Sequence, residues 1–196
     1  MTTKKGYRAQ EILQALARML EMSKGGRITT AALASELGVS EAALYRHFPS
    51  KTRMFEGLID FIEDTIFGRI TSIVQEESGA EDICFRILTL LLAFAEKNPG
   101  ITRILNGDAL TGETQQLHQR VAQFYDRLES QLKQVLRESK VRDGTVMALP
   151  ISVAVNLMLC AVEGKIHQYV RSEFKSLPSS NWQEQWELMA VGLFSK

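Results

Sequence analysis

Apolar side chains recur at intervals of three and four along almost the whole chain, whereas the period-two alternation that a half-buried strand requires is nearly absent. That one feature points to an all-α fold. Nine helices are expected, over about 8–22, 30–37, 41–48, 51–76, 82–97, 99–105, 113–139, 146–172 and 182–194. The stretches "SKGGR", "ESGAED" and "KSLPSSN" supply the breaks. In the first helix Ile12, Leu13, Leu16, Ala17 and Leu20 share the inward face. A hydrophobic content of 45% over 196 residues is enough to bury such a core.

Charge is uneven rather than large. The chain carries 23 basic and 23 acidic residues, yet residues 1–53 hold nine basic side chains against Glu11, Glu21, Glu36 and Glu41, a local excess of +5. A basic contact module on an acidic body is the expectation. The start "MTTKKGYRAQEIL" lacks the apolar run of a signal peptide. The longest apolar stretch, 145–162, is interrupted by Pro150, Ser152 and Asn156, so no membrane span is expected and the cytoplasm is the expected compartment. Cys84 and Cys160 lie in apolar surroundings without CxxC spacing and are expected to be buried free thiols. His47, His118 and His167 are far apart and no Gly-rich loop follows a strand, so neither enzyme, metal nor cofactor chemistry has a constellation.

The densest signal is "TTAALASELGVSEAALYRHFPSK" (29–51). Leu33, Ala34, Leu37, Gly38, Val39 and Leu44 have the spacing of a helix-turn-helix, with glycine at the sharp turn. Ser40 is placed to cap the second helix, and Glu41 suits its positive end. Leu44 and Phe48 face the core, which leaves Glu41, Ala42, Ala43, Tyr45 and His47 outside. Thr29, Thr30, Tyr45, His47 and Lys51 are phosphate-type donors, and Glu41 with the two alanines could reach base edges. An αα-hairpin with amphipathic cover is the plainer alternative. The coincidence of turn, donors and local charge favours double-stranded DNA.

The same segment resembles the DNA-binding region of TetR-type regulators, through the Leu-Tyr-x-x-Phe-x-x-Lys spacing of Leu44, Tyr45, Phe48 and Lys51. The resemblance implies a helix-turn-helix domain over 1–52 and a helical dimerising body over 53–196 that binds palindromic DNA as a homodimer. Further segments, "NPGITRILNGDAL", "QLKQVLRE" and "VRSEFK", are similar to the nucleoid occlusion factors built on that fold. This implies a nucleoid-associated protein that engages the C-terminal tail of the division GTPase FtsZ when bound to DNA. It assigns that contact to Phe61, Arg69, Leu90, Lys97 and Asn98, although spacing alone would leave them as helix packing and solvated face. Along the last two helices Val155, Leu159, Val162, Ile166, Trp182, Trp186 and Met189 recur at helical spacing, as a dimer interface or as core within one chain. The rival reading is a TetR-type transcriptional repressor released by a small molecule bound in its body.

Overall fold

The computed structural model describes residues 4–23, 26–76, 79–142 and 144–195. The breaks expected at "SKGGR" and "ESGAED" include Lys24, Gly25, Glu77 and Ser78, which lie outside those residues. The helices are α1 (Lys4–Met22), α2 (Thr30–Glu36), α3 (Glu41–Tyr45), α4 (Lys51–Gln75), α5 (Ala80–Lys97), α6 (Pro99–Asn106), α7 (Gln115–Arg142), α8 (Ile151–Arg171) and α9 (Trp182–Leu193).

Three details depart from the sequence expectation. Helix α3 stops at Tyr45 instead of Phe48, because Pro49 disfavours helical geometry at the residue before it and Arg46 already caps the helix. Helix α8 begins at Ile151 behind Pro150, whose ring removes the donor and fixes the backbone angle. The residues freed ahead of it form a two-residue strand, β1 (Val146–Met147), antiparallel to β2 (Phe194–Ser195). A 3-10 turn over Asp108–Leu110 also follows α6.

The chain divides into two compact units that do not follow a cut at residue 52. The first combines residues 1–62 with 98–122, and the second combines 63–97 with 123–196. In the first unit α6 packs along α1. The approach is so close that a Cβ on Gly100 would lie 2.0 Å from the Ala17 carbonyl oxygen. Arg103, only 6% exposed, then reaches past α6. Its guanidinium pairs with Asp108 at 2.6 Å and donates to the Leu20 and Ser23 carbonyls, so the orphan carbonyls at the end of α1 are satisfied from another helix.

The second unit is built around α5, which packs against α8 and α9. Phe85, Trp182, Trp186 and Phe194 form an aromatic cluster with centroid separations of 5.7–6.5 Å. The Trp182 indole N–H donates to the Thr89 hydroxyl at 2.9 Å, which satisfies the polar end of a buried ring. Cys84 is buried, and burial pushes its thiol pKa up to about 12. Cys160 is exposed, contrary to expectation, because it lies on the outward side of α8.

Candidate nucleic-acid interface

Helix α2 is started by Thr29, whose side-chain oxygen accepts the Ala32 N–H at 3.1 Å. Helix α3 is started by Ser40, which accepts the Ala43 N–H at 3.3 Å. Between them the chain turns at Gly38, whose φ of 64° is costly for any residue with a Cβ. Leu33, Ala34 and Leu44 are buried across the crossing, and the Val39 N–H donates back to the Ala34 carbonyl at 3.0 Å. Two short helices are therefore held at a fixed angle by packing and by caps at both starts.

On the outer side, three of the expected residues form one hydrogen-bonded line. The Tyr45 hydroxyl donates to Thr30 Oγ1 at 3.3 Å, and the Thr30 hydroxyl donates to Glu41 Oε2 at 2.6 Å. Tyr45 and Glu41 are exposed and Thr30 is half-buried. Ala42 is exposed beside them, and Thr29 stands exposed at the start of α2 while serving as its cap. The line orients the Tyr45 ring and the Glu41 carboxylate before any ligand arrives.

Ala43 and His47 lie elsewhere. Both are half-buried and line a cleft of about 710 Å³ together with Arg8, Ile12, Leu37 and Arg46. The His47 Nδ1 is buried there without a hydrogen-bond partner. The sequence expectation puts both on the outer face; His47 leaves it because α3 ends at Tyr45 instead of running through Phe48, whereas Ala43, inside α3 and next to the buried Leu44, borders the packed side. Arg46, exposed and directly after Tyr45, is a further basic residue beside this surface. The motif itself contained it, but the assumed helical phase gave it no role.

Lys51 opens α4, as expected, but its ammonium is not free. It lies 2.5 Å from Glu113 Oε1 and 5.5 Å from the centroid of the Phe55 ring. Arg53 two positions later pairs with the buried Glu56 at 2.8 Å, and Glu56 also accepts from the Gln116 amide at 2.7 Å. Neither Glu113 nor Gln116 could have been anticipated, since both come from the 98–122 segment.

The expected partner residues divide between the two units. In the first, Phe61 is 45% exposed. With the half-buried Asn98 it borders a pocket of about 350 Å³ that also takes in Leu13, Ala17, Arg18 and Leu58. In the second, Arg69 and Lys97 are exposed and Leu90 is half-buried.

The expected dimer set changes most. Val155, Leu159, Val162, Ile166, Trp182 and Trp186 are all buried within their own chain, and Met189 is half-buried. These six side chains are intrachain core, the alternative that spacing had left open. The apolar positions that remain outward on the same helices are Val153 (49% exposed) and Leu157 (45%) on α8, and Leu188 and Val191 (78% each) on α9. Helix α8 is apolar nearly all round, so periodicity could not say which side its own chain covers.

Among the described residues no helix is long and apolar enough to cross a membrane.

Comparison with known proteins gives these features a context. Residues 12–58 match the family described as bacterial regulatory proteins, tetR family, and residues 83–193 match the tetracyclin repressor-like, C-terminal domain of SlmA-like type. The fatty acid degradation regulator FadR from Bacillus halodurans superposes with a TM-score of 0.82 at 15% identity, covering 97% of this chain and 98% of that one. A TetR transcription regulator from Haloarcula marismortui gives 0.78 at 18%, covering 96% and 99%. These two establish the TetR-like all-α fold. The nucleoid occlusion factor SlmA of Marinomonas sp. is 55% identical over 193 residues, 98% of each chain. That of Idiomarina loihiensis is 54% identical over 195 residues and 100% of each, and that of Alteromonas mediterranea 58% over 183 residues, 93% of this chain and 94% of its own. With more than half its residues shared along nearly its whole length, the chain belongs to the SlmA family of nucleoid occlusion factors, on the TetR-type fold.

Proposed function

We propose that the protein is a DNA-binding nucleoid occlusion factor that acts as a homodimer on palindromic sites and, when bound there, engages the FtsZ C-terminal tail to block septum assembly over the chromosome. The Tyr45–Thr30–Glu41 line on a capped, glycine-turned helix pair carries the DNA reading. Tyr45 and Thr29 meet phosphates. Arg46 adds charge beside them. Glu41 keeps Oε1 available to accept from a cytosine amino group, and Ala42 can touch a thymine methyl. Relatives that carry the name SlmA over the full chain supply the cellular role.

The pocket bordered by Phe61 supports the tail contact. Its floor of Leu13, Ala17 and Leu58 suits an apolar side chain, and Arg18 at its rim suits a carboxylate. Arg18 belongs to α1, which the sequence argument had not included. Arg69, Leu90 and Lys97 are the positions that the family resemblance gives to the same partner. The homodimer would use Val153, Leu157, Leu188 and Val191, since large exposed apolar side chains grouped on two helices favour a protein contact.

The test is light scattering of FtsZ filaments with the protein, with and without a duplex that the protein selects from a random pool. Scattering should fall only when both protein and duplex are present. Phe61→Ala should abolish that effect and the binding of a tail peptide, a loss of at least about 2 kcal/mol for a central anchor, while affinity for the duplex stays unchanged. A small molecule that releases the duplex, with filaments unaffected throughout, would instead favour the transcriptional repressor. Leu157→Arg and Leu188→Glu should each yield monomers by sedimentation with helicity retained.

A further inference from the structure

We propose that Glu113 is a specificity-determining residue for DNA binding, because it cancels the charge of Lys51 from inside the protein; the inference rests on the DNA-binding reading above. Lys51 follows α3 by a short connector and stands at the start of α4, next to the reading surface. Its side chain is 18% exposed, while that of Glu113 is only 6% exposed. Arg27 Nε lies 3.7 Å from the same Glu113 oxygen, but its side chain is 67% exposed and solvated, so the 2.5 Å contact makes Lys51 the cation that the carboxylate chiefly neutralises. Lys51, Arg27 and Glu113 are the charged groups at this point.

The carboxylate is held in place by its connector. Gly107 and Gly112, at φ of 84° and 76°, fold residues 107–114 back on themselves around the 3-10 turn. The Glu113 N–H donates to the Leu110 carbonyl at 2.9 Å, and His118 Nε2 lies 3.0 Å from that same carbonyl oxygen. Asp108 in the turn is tied to Arg103, which is tied to the end of α1. The carboxylate is therefore held in a nearly buried position by contacts of its own connector. It is a permanent part of the surroundings of Lys51.

The consequence concerns which DNA is bound. Affinity for arbitrary sequence grows with the number of phosphates neutralised, each adding about 0.9 to the slope of log affinity against log salt. A lysine already neutralised from within adds little to that count. It still presents N–H groups at a fixed place, so it rewards a phosphate held in register and does little to attract DNA in general. Arg53 with Glu56 repeats the arrangement two residues on.

Glu113→Gln is the direct test, with affinity measured by fluorescence anisotropy over a salt series, on the selected duplex and on a scrambled duplex of the same composition. The variant should bind the scrambled duplex about eightfold more tightly at 0.1 M salt, with a slope steeper by about 0.9. Adding Lys51→Met to it should return the slope to the wild-type value. The charge swap Lys51→Glu with Glu113→Lys keeps the pair and guards against a folding defect in the single variant; its slope on the scrambled duplex should equal that of the wild type, while affinity for the selected duplex falls because position 51 no longer donates. An unchanged slope in Glu113→Gln, or a flatter slope in the swapped protein, overturns the inference alone. Wild-type protein that binds neither duplex overturns the DNA-binding reading as well.

Discussion

The two units are stabilised by different means. In the second, the core is aromatic and aliphatic, and the only buried polar residue among the described positions is Ser139. In the first, Glu56, Thr102 and Arg103 are buried, and Glu113 is nearly so. Buried charge is a poor way to gain stability, since desolvation offsets most of the attraction. Its value is positional. The first unit, which on the proposed function sets cations and hydroxyls against a duplex, fixes them with internal carboxylates and a buried guanidinium, whereas the second, proposed to present an apolar face, relies on area and close packing.

The contrast can be broken from either side. Trp186→Ala removes the ring shared by three aromatic contacts and should cost about 3–5 kcal/mol in chemical denaturation. If the loss is below about 1 kcal/mol, the aromatic cluster is not what stabilises the second unit. Gly100→Ala acts on the first unit by forcing α6 away from the Ala17 carbonyl. About 3 kcal/mol is expected, at the upper end of overpacking costs, together with weaker duplex binding as Arg103 and the connector that holds Glu113 shift. Full duplex affinity in that variant would mean that the 98–122 segment is mere scaffold. Ser40→Ala is the mildest change. Loss of the α3 cap should cost about 1 kcal/mol and reduce affinity for the selected duplex more than for the scrambled one, because α3 would fray at the face proposed to read bases.

Much of this was legible in the sequence because it is local. Periodicity and punctuation give nine helices, and the spacing from Thr29 to Lys51 gives the helix-turn-helix with its Gly38 turn and its Ser40 cap. What was illegible depends on which element covers which. The sequence cannot say that the Val155 side of α8 is covered while Val153 and Leu157 stay outside, because both sides are apolar. Nor can it say that residues 98–122 join the first unit, since the cues are a glycine with no room beside it and an arginine 80 and 83 positions from its carbonyl partners. Glu113 was invisible for that reason. His47 differs from expectation for another reason, the early end of α3 before Pro49, and Ala43 because it borders the buried Leu44 side of that helix.

The discontinuity of the first unit has a consequence for synthesis. A ribosome that has released residue 62 has produced the whole helix-turn-helix, yet Gly100, Arg103 and Glu113 are still to come. At about 5–20 residues per second, the stretch to residue 122 takes roughly 3–12 s. During that interval the end of α1 lacks its arginine and Lys51 lacks its acid, so the nascent helix-turn-helix is unfinished and carries an uncompensated positive charge. On the role proposed for Glu113, discrimination between duplexes would begin only when the middle of the chain has been translated.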